Sequence, residues 1–344
     1  MTSSSFNQAI DAVITWVDGA DPFHAAKLDH YLASVGKKRT GSASSTRFHD
    51  AGEVEYCVTS ILKFAPWIRT IFIVTDQQVP DLMRKLQGTR FENKVKIIDH
   101  REIFAGYEQF LPTFNSSSIL TMLWRIPDLT EQFIFFNDDF ILIKPVVPEN
   151  FFVAGDVLIR GKWHWMSDYL PHRWLFRLIK RVLGTGASNA NIRPGHRVRQ
   201  ELSARIVGFN RKYFRLPHVP HAWRRSSFQS FFTANPDVLH NNIEPKLRSS
   251  NQFVVEALAC HLEISAGTAR IDPKVRNVQL KPGQQSLIRI RQKLTSAVND
   301  LDKLFLCVQS LEASSKVKKA FILSWLDKNI GTLEQFLKNE ETRP

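Results

Sequence analysis

The chain has 344 residues and carries 46 Lys and Arg against 33 Asp and Glu, a formal net charge of +13. With 43% apolar and 23% charged residues it can bury a sizeable core, which excludes a disordered or fibrous chain. Cys57, Cys260 and Cys307 lie far apart, without a CxxC or Cys/His cluster, which argues against a disulfide scaffold or a structural zinc site.

The excess charge is concentrated. Residues 157–225 hold fifteen Lys and Arg and only two acids, Asp168 and Glu201, so this stretch alone carries +13. An anionic partner is therefore expected at one place on the surface. The amino terminus lacks a charged region followed by an apolar run, and no segment reaches the roughly 18 apolar residues of a membrane span. A soluble, cytoplasmic protein is expected.

Residues 12–17 (AVITWV) form a β-branched run ending at Asp18 and Gly19, the pattern of a buried strand emptying into a loop. A helix is expected over 23–35, a loop rich in Lys, Ser and Gly over 36–46, and a second helix over 52–64, stopped before Pro66. Residues 69–75 (RTIFIVT), 95–98 and 134–136 read as three more strands. Strands alternating with helices predict an α/β fold with a mostly parallel, right-handed sheet whose ligands sit at the carboxyl ends of the strands. Asp18, Asp76 and Asp138 all fall at such ends. Beyond residue 152 the text becomes aromatic and basic, and helices are expected over 252–263, 287–307 and 316–327. The division expected is an α/β core over residues 1–156 and a basic, largely helical region over 157–344 that completes the same cleft.

Asp138 and Asp139 follow a strand too apolar to be exposed. Two adjacent carboxylates there suit a hard divalent cation held against a diphosphate, although an Asp-capped hairpin turn has the same local text. In LPTFNSSSILTMLWR, Asn115 and Ser116 are either plain helix caps or caps that also meet a phosphate. His218 and His221, in LPHVPHAWRR, lack the further ligands zinc requires; a cleft histidine acting as general base and an ordinary loop histidine both remain open. Arg248, before a helix, is a phosphate ligand or a surface charge. Residues 169–183 form a basic amphipathic helix, suited to an anionic membrane, to a polyanionic chain, or simply to packing on the domain.

Together these segments resemble the Stealth family, whose bacterial members make phosphodiester-linked capsular polysaccharides and whose animal relatives include the alpha/beta subunits of N-acetylglucosamine-1-phosphotransferase. Residues 11–22 (DAVITWVDGADP) resemble the first family block, residues 47–146 the long second block through RFHDAGEVEY, APWIRTIFIVTD, HREIF, LPTFNS, RIPDLTEQFIFFNDDF and KPV, and residues 218–253 the third. The resemblance implies a nucleotide-diphospho-sugar-transferase-like, Rossmann-type sheet. It also implies transfer of a hexose or N-acetylhexosamine 1-phosphate from a nucleotide sugar to a saccharide hydroxyl, with Mg²⁺ or Mn²⁺. Asp138 and Asp139 match the family's paired active-site aspartates and the cation's ligands, His218 its candidate base and Arg248 a phosphate clamp. Trp16 and Asp18 would border the nucleotide, with Asp76 at the same strand ends, while Glu53, Asn115 and Arg125 would support the site.

The chain departs from the family pattern in four places. Leu120 stands where a Glu is usual, Trp124 where His is frequent, Asn251 and Gln252 where acids are expected, and Gln309 and Ser310 follow Cys307 and Val308 in place of Asn-Asp. The expectation is a phosphotransferase acting on a nucleotide-sugar donor and an oligosaccharide or polysaccharide acceptor in capsule or exopolysaccharide assembly, at the inner face of the membrane beside the export machinery. The competing expectation, motivated by the lost carboxylates, is a non-catalytic relative that binds the anionic polymer. Nucleic-acid binding rests on charge alone, with no recognisable module.

Overall fold

A computed structural model of the chain describes residues 8–37, 39, 52–169, 195–274 and 276–342. Most of the loop expected over 36–46 and nearly all of the basic helix expected over 169–183 lie outside the described residues. Four of the strands read from the text are present as β1 (Ile10–Thr15), β2 (Ile71–Thr75), β3 (Val95–Asp99) and β4 (Gln132–Asn137). All four are parallel, in the order β4-β1-β2-β3.

β1, β2 and β4 are largely apolar without alternation because both faces are covered, whereas the edge strand β3 (VKIID) leaves Lys96 exposed. On one face Ala12, Ile14, Ile73 and Phe136 pack with Val54, Val58 and Ile61 of the helix Glu53–Phe64. On the other, Val13, Val74, Phe133 and Phe135 pack with Met122, Leu123 and Phe228. Burying each such phenylalanine contributes about 1.5–3 kcal/mol. The helix expected over 23–35 is present as Pro22–Ser34, capped by the Asp21 side chain, which accepts from the His24 N–H.

The charged Asp11 inside β1 is fully enclosed yet satisfied. Arg69 donates to both its oxygens at 2.9 and 2.6 Å, and the N–H groups of Thr70 and Thr130 donate at 3.2 and 2.9 Å. A buried carboxylate is tolerated only with such partners.

Chain order then places β5 (Phe140–Leu142), β6 (Phe152–Val153), β7 (Asp156–Arg160), β8 (Lys162–Trp165), β9 (Lys212–Arg215), β10 (His221–Arg224), β11 (Ala269–Asp272), β12 (Asn277–Leu280) and β13 (Phe305–Val308). β10 joins the main sheet antiparallel to β4, so the second half of the chain completes the first half's sheet. β5 does not fold back on β4: it pairs antiparallel with β13, which in turn carries β12. The hairpin alternative for Asp138 and Asp139 is therefore not adopted; these residues link two sheets.

The helix expected over 287–307 is shorter than the periodicity suggests. It runs over Leu287–Asn299, and Phe305–Val308 is strand β13. Every β13 residue is buried, and a four-residue apolar run of that kind has no period to distinguish strand from helix. The other two helices expected there are present as Val255–Ala266 and Lys316–Asn329, and a further helix, Leu333–Glu341, follows. Among the described residues no helix is long and apolar enough to cross a membrane.

Candidate active site

β1 has β2 and β3 on one side and β4 on the other, so the chain reverses its direction of travel across the sheet between β1 and β4. A crevice opens at the carboxyl ends of strands flanking such a reversal. Thr15 ends β1 in register with Asn137 at the end of β4. The next residues, Trp16 and Asp138, consequently emerge side by side. They border a cleft of about 500 Å³ whose walls also include Glu53, Ser116, Asp139 and Arg248.

Asp138 Oδ1 accepts the Asp139 N–H at 3.1 Å. β13 holds Asp139 from the other side: the Val308 N–H donates to its carbonyl at 3.1 Å, and the Cys307 thiol donates to Oδ2 at 3.5 Å. The Cys57 thiol donates to the Asn137 carbonyl at 3.7 Å. Burial pushes both thiols well above their ordinary range, so they stay protonated and act as donors. Burial also pushes the Asp139 carboxyl up to about 6; the Cys307 bond and a backbone N–H oppose the rise, while the Glu312 charge adds to it.

Glu312 lines the cleft with Gln309 and Ser310, all just past β13. Reading β13 as the tail of a helix hid Glu312; the apolar run FLCV after the turn residues Asp300 and Asp302 was the available signal. Ser310 adopts the left-handed conformation, with φ 57°. His24 and His100, also missed, form part of the wall near the ends of β1 and β3, and burial lowers both imidazoles, His100 to about 4.

Arg248 Nη2 donates to Ser116 Oγ at 2.5 Å, which sets the guanidinium at the start of the helix Ser116–Met122. Asn115 caps that helix by accepting the Ser117 N–H, and its amide donates to the Pro245 carbonyl and Gln252 Oε1 at 2.7 and 2.9 Å. Asn115 thus shapes the wall without lining the cleft. Asp76 is engaged by Lys27 at 3.0 and 3.1 Å, and Asp18 Oδ1 accepts the Ala20 N–H while Gln78 clamps the Asp18 backbone. Both stabilise the loops around the opening. Arg125 donates to the carbonyls of Ile103 and Ala105 and stacks over Tyr107, away from the cleft.

His218 does not line the cleft. Its ring stacks on His196 with centroids 5.8 Å apart, and Asn277 donates to its carbonyl. Burial lowers His218, His196 (to about 4) and His221 (to about 3), with neighbouring cations adding to the effect. Neutral imidazoles are proton acceptors.

Among the described residues no group of three or more His, Cys, Asp or Glu could enclose a metal ion. The adjacent carboxylates offer hard oxygen donors for an ion that takes the rest of its shell from phosphate and water, the usual habit of Mg²⁺.

Fold and cleft define an α/β protein with a partly acidic ligand crevice at the carboxyl ends of a mostly parallel sheet. Two family models match it, Stealth protein CR1, conserved region 1, over residues 8–36, and Stealth protein CR2, conserved region 2, over residues 47–158. The receptor polysaccharide phosphotransferase WefC of Streptococcus oralis is 38% identical over 276 residues, covering 79% of this chain and 76% of that protein. The chain belongs to the Stealth family. The exopolysaccharide phosphotransferase cps2G of Lactiplantibacillus plantarum is 27% identical over 327 residues, covering 91% and 90% of the two chains. The capsular polysaccharide phosphotransferase cps1A of Actinobacillus pleuropneumoniae is 43% identical over 149 residues, 43% of this chain but 39% of that relative's length.

Proposed function

We propose that this protein transfers a sugar 1-phosphate from a nucleotide sugar to a saccharide hydroxyl, forming a phosphodiester of a capsular or exopolysaccharide and releasing a nucleoside monophosphate. The observation that carries this reading is the convergence of Trp16, the Asp138–Asp139 pair and Arg248 on one cleft at the strand reversal. The names of the relatives support it. Asp138 and Asp139 would hold Mg²⁺ or Mn²⁺, which when bound supplies positive charge to the donor's diphosphate.

In this mechanism the acceptor oxygen attacks the phosphorus nearest the sugar, in line with the bridging oxygen of the diphosphate. A new P–O bond forms, the bond to the bridging oxygen breaks, and the nucleoside monophosphate departs. Arg248 meets charge on the transferred phosphoryl group. His218, whose imidazole burial keeps neutral, is assigned as acceptor of the hydroxyl proton. The lost family carboxylates fit an active enzyme: Leu120 is buried in the core and Gln252 in a hydrogen-bond network with Asn115, while Glu312 adds a carboxylate to the cleft.

The reaction is assigned to the cytoplasm, peripheral to the inner membrane beside the export machinery. Incubation with a panel of nucleotide sugars, Mg²⁺ and a saccharide acceptor should yield nucleoside monophosphate and a phosphodiester signal in phosphorus NMR. Polymer binding with no turnover across the panel would favour a non-catalytic relative instead.

A further inference from the structure

The ribbon made by β8 and β9 has an unusual surface. Trp163, Trp165 and Tyr169 are 39%, 51% and 50% exposed, although large aromatic side chains ordinarily seek burial. In the antiparallel register Trp163 faces Phe214 and Trp165 faces Lys212, so these four share one side of the ribbon. Trp163 leans on Phe209 and Phe214, at 5.8 and 5.5 Å between ring centroids. Trp165 lies 6.4 Å from Tyr169, and the Lys212 ammonium sits 4.5 Å from the Trp165 ring centroid.

Charge around the ribbon is one-sided. Lys162, Arg211, Lys212 and Arg215 are exposed and make no ion pair among the described residues. The two neighbouring acids are already engaged: Asp168 takes Arg205 at 2.5 Å, and Glu201 accepts from Ser167 and Arg197. Burial lowers the His164 imidazole, and Arg215, Arg197 and Lys162 lower it further, which reports the positive field.

One helix joins this surface to the cleft. In the first turn of His196–Ile206, Arg197 donates to the Trp165 carbonyl at 3.2 Å, and Arg199 donates to Ser117 Oγ at 2.7 Å and the Gln252 carbonyl at 3.0 Å. Ser117 follows Ser116 of the cleft wall, and His196, which opens the helix, stacks on His218. This helix therefore contacts both the ribbon and the residues next to the cleft wall.

We infer that the β8–β9 ribbon is a docking platform for the acceptor polymer, an anionic polysaccharide whose sugar faces stack on Trp165 and Tyr169 while its phosphodiesters meet Lys212 and the cations around it. The inference rests on the transferase reading for the identity of the polymer. Interleaving of rings with cations favours a chain of alternating apolar faces and charges over a continuous lipid surface.

The test is binding of a purified hexose phosphate-linked capsule polymer, with dextran of equal length as the neutral control, to wild type, Trp165→Ala and Lys212→Ala. Wild type should bind the polymer at least tenfold more tightly than dextran, and each variant should weaken that binding at least fivefold. The variants should leave the KM for nucleotide sugar and kcat with a single-repeat acceptor unchanged. Lys212 is an exposed side chain, so its variant reports even where Trp165→Ala folds poorly. Unchanged polymer binding by Lys212→Ala and a folded Trp165→Ala overturns the platform, as does wild-type preference for phosphatidylglycerol vesicles or a thymidine oligonucleotide. Polymer binding without any transfer would keep the platform and remove the transferase reading; transfer to single repeats without polymer binding would do the reverse.

Discussion

Asp139 sits where burial lifts its carboxyl to about 6, against an ordinary value of 3.8. Between those values the folded chain binds more protons at this site than the unfolded chain, so this group's contribution to stability falls as pH rises through that window. Below it the penalty vanishes, and above it the penalty is complete. Asp139→Asn should therefore be more stable than wild type at pH 8 by about 1–3 kcal/mol, with the gap closing toward pH 4, while transferase activity is lost. Urea unfolding at the two pH values checks this, and an Asn variant less stable than wild type at pH 8 contradicts it. Asp138, Asp139, Trp16, Glu53 and Arg248 were legible as site candidates because each sits in a distinctive stretch of text, and the fold gathers them around one cleft. Glu312 was not legible, since its place depends on β13 docking against β5, a pairing across more than 160 residues that local pattern does not encode.

Three of the four parallel strands, β1, β2 and β4, announced themselves because burial on both faces demands nearly continuous apolar runs. β10 and β13 did not, as each is four residues long and takes its conformation from a partner distant in sequence. The ribbon offers a test at this scale. Gly161, between β7 and β8, has φ 151°, and a Cβ there would collide with the Arg215 carbonyl and the Phe214 ring. Gly161→Ala should lower stability by about 1–3 kcal/mol through this overpacking. Denaturant unfolding measures it; a variant as stable as wild type would show that the ribbon yields freely. The same substitution should weaken polymer binding more than turnover of short acceptors, because it disturbs Phe214 and the Trp163 ring packed on it rather than the cleft.

Across the whole molecule, composition raises the expectation of an anionic partner near residues 157–225 without naming a contact surface for it. That required the β8–β9 register, which sets Trp165 opposite Lys212, and the pairing of Asp168 and Glu201 with arginines, which leaves the ribbon positive. Screening should reveal the division of labour: raising salt from 50 to 500 mM shortens the screening length to a few ångströms, so KM for long acceptors should rise several-fold more than KM for single repeats. Equal sensitivity would place the charge elsewhere in the cycle. The central claim concerns which bond is cut, and the most direct measurement is the nucleotide product. With a nucleotide-sugar donor, Mg²⁺ and acceptor, wild type should release nucleoside monophosphate in step with a new phosphodiester, and Asp138→Ala should release none; nucleoside diphosphate as the product would show glycosyl transfer and contradict the account.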